Sequence, residues 1–85
     1  ISRAELGCMM TRYLVLSGKD ISELEDVLSG FSDAGAVNES MRTELNAACA
    51  LGIVKGVGGG RLDPNGGATR AQTAVMISRM LDIAV

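Results

Sequence analysis

The stretch ATRAQTAVMISRML, residues 68–81, occurs in a second form at the start of the chain, where residues 1–14 read ISRAELGCMMTRYL. The two stretches share one register, because Arg70 falls on Arg3, 67 positions earlier. The short box Ser2-Arg3-Ala4-Glu5 matches Thr69-Arg70-Ala71-Gln72, and a longer match follows in the same register. This pattern indicates an internal repeat. The identical pairs further along the two copies are Met9 with Met76, Arg12 with Arg79 and Leu14 with Leu81.

Both copies begin with residues that start an α-helix. Ser2 and Thr69 are preferred N-cap residues, and Glu5 and Gln72, three positions later, complete a capping box. Apolar residues follow at helical spacing, so we predict two α-helices that pack these stripes into a common core. Gly18 ends the first helix in the usual C-terminal manner. The predicted stripes are Leu6, Met9, Met10, Tyr13 and Leu14 in the first helix, and Thr73, Met76, Ile77, Met80 and Leu81 in the last.

Two further helices are predicted between the copies. One spans residues 40–51 and stops at Gly52. The other is a short helix over residues 21–28, where Ser22 and Glu25 form another capping-box pair. The apolar stripe of the longer helix is Met41, Leu45, Ala48 and Cys49, and the acidic residues that we expect to be solvated on the short helix are Glu23, Glu25 and Asp26.

Residues 56–67 form the predicted loop, because they hold six of the eleven glycines and the only proline, Pro64. Such a stretch cannot be the interior of a helix. Leu62 is the one apolar residue in the second half of the loop. We therefore expect the Leu62 side chain to be buried in the core and to hold the loop in place.

Composition limits the partners that the chain could have. With 85 residues it is at most one domain, and its 47% hydrophobic but 2% aromatic content predicts a core of aliphatic side chains. A net charge of −2 with scattered basic residues argues against a nucleic-acid partner, since phosphate neutralisation needs clustered Lys and Arg. No apolar run reaches the roughly 18 residues of a transmembrane helix, so we expect no membrane span.

The sequence offers no motif for catalysis, metal binding or nucleotide binding. It has no His, and Cys8 and Cys49 are not part of a Cys-x-x-Cys pair, which argues against a zinc site. We expect both cysteines to be small buried apolar residues, with a disulfide between them as the alternative. The glycine run of residues 56–60 lacks the third glycine of a dinucleotide-binding loop, because Arg61 stands there. We therefore predict that the protein is not an enzyme and uses no metal or cofactor.

Arg3 and Arg70 stand just inside the two helix starts, where a cation opposes the helix dipole at a cost of about 0.3–1 kcal/mol. Finding an arginine twice at this position suggests a compensating role. In a structural role, the guanidinium would bond to carbonyls or a carboxylate of a neighbouring repeat. In a functional role, it would complete an anion site together with free backbone N–H groups. The two roles are not exclusive, and Lys55 and Arg61, which flank the loop, are weaker candidates for the same work.

Four motifs, in order, resemble those of an S-layer homology repeat. The family pattern opens with a short turn and ends its first helix at a glycine motif. It then crosses a loop that ends before a proline, and enters the last helix at a Thr-Arg-Ala-Glu box. In this chain the motifs are Phe31-Ser32-Asp33, Gly52-Ile53-Val54-Lys55-Gly56, Leu62-Asp63-Pro64 and Thr69-Arg70-Ala71-Gln72.

The resemblance implies an all-α fold in which the helices pack as a small bundle. Residues 31–85 would be one complete helix–loop–helix repeat. Residues 1–18 would be the C-terminal helix of a preceding repeat, and residues 19–30 would be a linker with a short helix.

The resemblance also implies a function. In this family the box arginine lines grooves between repeats, and the grooves bind anionic, often pyruvylated, secondary cell-wall polysaccharides. We therefore expect a non-catalytic anchoring module that lies outside the cell, at the bacterial cell surface or cell wall. Its partners would be the polysaccharide and other repeats or a second copy, since stacked repeats usually need about three copies to bury a continuous core. The expected ligand-binding residues are Arg3, Arg70, Lys55, Gly58 and Ser40.

The chain departs from the family pattern at positions suited to sugar binding. Ser40 stands where the first helix usually begins with Trp, and Val57 stands where the loop commonly carries Tyr. Gly59 replaces an acidic loop residue, and Gln72 replaces the Glu of the box. These changes remove the aromatic platform on which a sugar ring could stack. The alternative is a protein–protein interaction or assembly module that keeps the fold and has lost carbohydrate binding.

Overall fold

The computed structural model describes residues 1–84, which form three α-helices. Helix α1 spans Arg3–Leu16, helix α2 spans Arg42–Ala50 and helix α3 spans Arg70–Ala84. Three short 3₁₀ turns, Leu28–Gly30, Ala34–Ala36 and Glu39–Met41, lie between α1 and α2. Throughout the described part of the chain, β pairing is limited to isolated bridges, so the all-α class is confirmed.

Both predicted capping boxes form. At α1, Ser2 Oγ accepts from the Glu5 amide (3.0 Å) while Glu5 Oε1 accepts from the Ser2 amide (2.8 Å). At α3, Thr69 Oγ1 accepts from the Gln72 amide (3.1 Å) and Gln72 Oε1 accepts from the Thr69 amide (3.0 Å). Each box satisfies two N–H groups that the first turn of a helix leaves unbonded. At the other end of α1, Gly18 has a φ of +103°, the left-handed conformation that favours glycine after a helix.

Helix α1 packs closely on α2, and Gly7 sets the distance between them. A Cβ placed at Gly7 would lie 2.9 Å from Val54 Cγ2 and 3.3 Å from Leu45 Cδ1, so only glycine allows this approach without rearrangement. One turn later the fully buried Thr11 Oγ1 lies 3.0 Å from the carbonyl oxygens of both Gly7 and Glu44. The close contact of the two helices therefore includes a buried hydrogen bond, from Thr11 to the Glu44 carbonyl, within an apolar interface.

Aliphatic side chains fill the core, as the composition predicts. Leu62 is fully buried, which confirms that the loop returns to the core at this residue. Cys8 and Cys49 are buried free thiols rather than a disulfide, and burial raises the pKa of Cys49 to about 11. The largest fully buried aliphatic side chains are Leu14, Leu28, Leu45, Ile53 and Leu62.

The short helix predicted over residues 21–28 is wrong. The Ser22 amide donates to Asp20 Oδ1 (2.9 Å), and Glu25 forms no capping box with it. Asn46 on α2 holds the end of this segment against α2, because its Oδ1 accepts hydrogen bonds from the amides of Val27 (2.8 Å) and Leu28 (2.9 Å). The side chains of Asp20 and Asn46 thus accept hydrogen bonds from backbone amides of this segment, and these bonds compete with helical hydrogen bonds. The acidic residues of the segment, Glu23, Glu25 and Asp26, are exposed, as expected.

The predicted apolar stripes of α1 and α3 are partly wrong. On α1, Met9 is 54% exposed and Tyr13 is 50% exposed. On α3, Ile77 is 41% exposed and Leu81 is 48% exposed. Helical spacing places all these residues on broad apolar faces, but each helix contacts the rest of the described chain along one side only. None of the helices in residues 1–84 is long and apolar enough to cross a membrane.

Candidate functional site

Arg3 is the most deeply buried charged residue at the predicted site. Its side chain is only 6% exposed, and its guanidinium donates from Nε to the carbonyl oxygen of Leu62 (3.2 Å) and from Nη2 to that of Lys55 (2.7 Å). These two carbonyls flank residues 56–61 of the glycine-rich loop. Arg3 therefore fulfils the structural role expected for the box arginine, because it holds the loop closed against α1.

The start of α1 is also bonded to the loop through its backbone. The Arg3 amide donates to the carbonyl of Gly66 (2.9 Å) and the Ala4 amide donates to that of Pro64 (2.9 Å). The next two amides donate to Ser2, to its Oγ and its carbonyl oxygen. All four N–H groups that an anion would need at this helix start are therefore already bonded.

The Asp33 carboxylate binds two backbone amides of the glycine-rich loop. Its Oδ1 accepts from the Leu62 amide (2.8 Å) and its Oδ2 accepts from the Asp63 amide (2.9 Å). These two hydrogen bonds, the one from Leu62 first, lower the pKa of the Asp33 carboxyl group. The turn motif that contains Asp33 was recognised in the sequence, whereas its bonds to the loop, 29 and 30 residues away, were not.

The tip of the loop is a tight hairpin. The Val57 amide donates to the carbonyl of Arg61 (2.9 Å), and Gly58, Gly59 and Gly60 have φ values of +108°, +64° and +74°. Only glycine adopts three such conformations in a row at low energy. The conformation of the hairpin accounts for this glycine run, which has no nucleotide-binding motif.

A cleft of about 430 Å³ lies between the first half of α3 and residues 54–57. Three cationic side chains from different segments line it: Arg3, Lys55 and Arg79. Arg79 also donates from Nη1 to the carbonyl of Ile53 (3.1 Å), which ties α3 to the end of the α2 region. Gln72 adds a polar amide, and the remaining lining residues that are apolar are Val54, Val57, Ala71, Val75 and Met76.

The cleft brings together two of the five residues expected to bind ligand. Arg3 and Lys55 line it, whereas Arg70, Gly58 and Ser40 do not. Arg70 is exposed at the start of α3, and Gly58 is in the hairpin. Ser40 is exposed in a 3₁₀ turn, where its hydroxyl donates to Asn38 Oδ1 (2.9 Å).

Arg79 and Gln72 are the polar cleft residues that sequence reasoning missed. A signal for Arg79 was present, because it is one of the identical positions of the repeat and falls on Arg12. The identity alone did not indicate a shared site. In the structure Arg12 instead forms a two-point ion pair with Glu44, through Nε to Oε2 (2.7 Å) and Nη2 to Oε1 (2.9 Å).

In the part of the chain that the structure describes, no three His, Cys, Asp or Glu side chains group closely enough to hold a metal ion. The polar groups of the cleft are cations and one amide, which suit binding of an anion or a polyhydroxylated molecule. The fold and the cleft therefore define a small helical repeat module with a cleft lined by cationic side chains.

The sequence model of the S-layer homology domain matches residues 30–74, more than half of the chain. The chain belongs to the S-layer homology domain family. No curated protein and no solved structure shows a significant match to it. The family consists of non-catalytic binding domains that attach to cell-wall polysaccharide and are associated with the bacterial cell surface.

Proposed function

We propose that the chain anchors a protein to the bacterial cell wall by binding an anionic secondary polysaccharide in the cleft between α3 and residues 54–57. The observation that carries this proposal is the convergence of Arg3, Lys55 and Arg79 on one cleft. The chain as a whole has a net charge of −2, so three cations at one place are a local departure from its average charge.

The cleft has the size and chemistry for such a ligand. Its volume of about 430 Å³ lies within the range of roughly 300–1,000 Å³ typical of small-molecule sites. Arginine guanidinium groups bind carboxylate and phosphate through paired hydrogen bonds, and lysine adds a flexible point charge. Val57 and Val75 offer apolar contacts to the carbon skeleton of a sugar ring, in place of the aromatic ring that the family commonly supplies.

Retention on purified cell-wall sacculi tests this proposal. Lys55→Gln should lower retention several-fold, because it removes one of the three cations that line the cleft. The fold should be unchanged, since Lys55 is exposed and its side chain makes no hydrogen bond within residues 1–84. The matched control is Lys19→Gln, which changes another exposed lysine that lies outside the cleft lining. Arg70→Ala tests the box arginine of α3, which lies outside the cleft.

Two further arms make the result decisive. Sacculi stripped of their secondary polysaccharide should retain neither the wild-type chain nor the variants. Rising salt should weaken retention, because exposed charges are screened beyond about 10 Å at 0.1 M salt. Equal retention of Lys55→Gln and Lys19→Gln on intact sacculi would contradict the assignment of the cleft as the site.

A second candidate function is assembly through protein–protein contacts without carbohydrate binding. The observation that favours it is the exposure of large apolar side chains on α1, where Met9 is 54%, Tyr13 is 50% and Leu16 is 88% exposed. Such a patch is typical of an interaction surface. Light scattering over a range of concentrations would give the mass in solution, and a strict monomer at every concentration would count against self-association.

A further inference from the structure

One of the three asparagines of the chain, Asn65, is followed by glycine, whereas Asn38 precedes Glu39 and Asn46 precedes Ala47. Asparagine is a chemically labile residue. The backbone amide that follows it can attack its side-chain carbonyl carbon, and the residue after it shields this amide when it carries a side chain. Glycine has no Cβ, so the amide after Asn65 is the least shielded of the three.

The structure leaves both reacting groups of this pair weakly held. Asn65 is exposed, and its side-chain amide donates one hydrogen bond, to the carbonyl of Ala36 (3.2 Å). The attacking amide of Gly66 donates to the carbonyl of Asp63 at 3.3 Å, beyond the usual range of about 2.7–3.2 Å. Water and hydroxide therefore reach the pair, and little hydrogen-bond energy opposes its rearrangement.

The fold requires the glycine of this pair. A Cβ built at Gly66 would lie 2.7 Å from Asp63 Cγ and closer still to Asp63 Oδ2, so the carboxylate occupies the space that a side chain would need. The Asp63 backbone is itself held in place, because its amide donates to Asp33 Oδ2 (2.9 Å). A shielding side chain at residue 66 would therefore force the loop to rearrange.

The labile pair lies between the two loop carbonyls that hold the start of α1. The Ala4 amide donates to the carbonyl of Pro64 and the Arg3 amide donates to that of Gly66, both at 2.9 Å. The backbone between these two carbonyls runs through Asn65. A change in the length of this backbone path would therefore move one carbonyl away from its amide.

We propose that Asn65 is a site of spontaneous deamidation and isomerisation, and that the isoaspartyl product loosens the start of α1. The Gly66 nitrogen loses its proton to hydroxide and bonds to Asn65 Cγ, while the Cγ–Nδ2 bond breaks and ammonia leaves with a proton from water. Water then opens the succinimide ring. Opening at Cγ gives aspartate, and opening at the backbone carbonyl carbon gives isoaspartate, in which the chain continues through Cγ and is longer by a methylene group.

The two products differ in what they do to the loop. Both replace the side-chain amide of Asn65 with a carboxylate, which cannot donate to the carbonyl of Ala36. Only isoaspartate lengthens the backbone between the carbonyls of Pro64 and Gly66. The effect on α1 therefore belongs to the isoaspartyl form, and it does not depend on polysaccharide binding in the cleft.

The reaction is tested on the folded full chain, kept in mildly alkaline buffer and followed by peptide mass spectrometry with fragmentation that separates isoaspartate from aspartate. Conversion at Asn65 should be at least about tenfold faster than at Asn38 or Asn46, whose following residues carry side chains. Asn65→Gln is the control that keeps the amide, and it should resist conversion because glutamine must close a larger ring. Conversion at Asn38 as fast as at Asn65 would overturn the proposal.

The effect on α1 is tested by hydrogen exchange in the isoaspartyl form, separated by chromatography, and in Asn65→Asp, which has the same charge and a normal backbone. Exchange of the Arg3 and Ala4 amides should be about tenfold faster in the isoaspartyl form than in the original chain. It should change much less in Asn65→Asp, and the Gln72 amide at the start of α3 should be unaffected in both. Unchanged exchange in the isoaspartyl form, or equally fast exchange in Asn65→Asp, would contradict the proposal.

Discussion

Helices α1 and α3 start from the same box but meet the rest of the molecule differently. Both begin with a complete capping box, and both place an arginine at the first helical position. Arg3 is buried against the loop, whereas Arg70 is exposed. The local sequence therefore determines where each helix starts, and the neighbouring segments determine which of its sides is buried.

This comparison also explains why one arginine can be tolerated at an unfavourable position. The cost of a cation at a helix N-terminus is offset at Arg3 by two hydrogen bonds to buried or partly buried carbonyls. Arg70 has the same cost and, within the described residues, no such bonds. The difference predicts unequal effects of matched substitutions in the two helices.

The largest difference is expected for the identical pair Leu14 and Leu81. Leu14→Ala should lower the free energy of unfolding by about 3 kcal/mol, because the side chain is 1% exposed and its removal leaves a cavity. Leu81→Ala should lower it by less than about 1 kcal/mol, because Leu81 is 48% exposed. Urea denaturation measures both values, and similar losses would show that the two helices are buried alike.

The next difference is expected between Arg3→Ala and Arg70→Ala. The first change leaves the carbonyls of Leu62 and Lys55 without their charged donor, which should cost about 2 kcal/mol. The second should change stability by no more than about 0.5 kcal/mol. Thermal or urea unfolding checks both.

Arg3→Lys serves as the control for charge in this pair. A lysine keeps the positive charge but cannot reach two carbonyls with a planar fork, so most of the loss should remain. Full recovery with lysine would mean that the charge, rather than the geometry of the two hydrogen bonds, stabilises the loop.

The sequence predicted the parts of the fold that depend on local chemistry. The capping boxes, the stop at Gly18, the extended loop and the burial of Leu62 each follow from a residue type at a defined position. The short helix over residues 21–28 failed because Asn46, distant in sequence, bonds the amides of Val27 and Leu28. The faces of α1 and α3 failed because helical spacing shows that a face is apolar but not whether a neighbour covers it.

The candidate site was partly predictable for a similar reason. Arg3 could be singled out because it recurs in the repeat, and Lys55 because it flanks the loop. Arg79 lines the cleft only because α3 packs against residues 53–57, a tertiary arrangement that the recurrence of this arginine in the repeat did not indicate. The proposed division of the chain into residues 1–18, 19–30 and 31–85 stays a prediction.

The two helix starts should respond alike to loss of their caps. Ser2→Ala and Thr69→Ala each remove a side chain that accepts an amide of the first turn, and each should lower stability by about 1 kcal/mol. The equality matters because it separates capping, which the copies share, from burial, which they do not. A loss at one cap several times larger than at the other, measured by urea unfolding, would show that tertiary contacts determine even the helix starts.

The smallest effect is expected from pH, and it should distinguish the two starts again. The pKa of Asp33 is lowered in the folded chain by its bonds from the Leu62 and Asp63 amides. Its contribution to stability is therefore fully present above its unfolded pKa of about 3.9 and is lost as pH falls through the lower folded value. Because Asp33 holds the loop that receives α1, acidification below about pH 4 should reduce hydrogen-exchange protection at the Arg3 amide.

The Gln72 amide at the start of α3 supplies the internal reference, since its hydrogen bond to Thr69 Oγ1 does not depend on Asp33. Asp33→Asn should reduce the protection of Arg3 at neutral pH and flatten its further loss in acid. Asp26→Asn is the matched control, because the pKa of Asp26 is also lowered, mainly by its hydrogen bond from the Ser29 side chain, but Asp26 does not contact the loop. If Asp26→Asn flattened the acid response of the Arg3 amide as much as Asp33→Asn, the loop that receives α1 would not be held by Asp33.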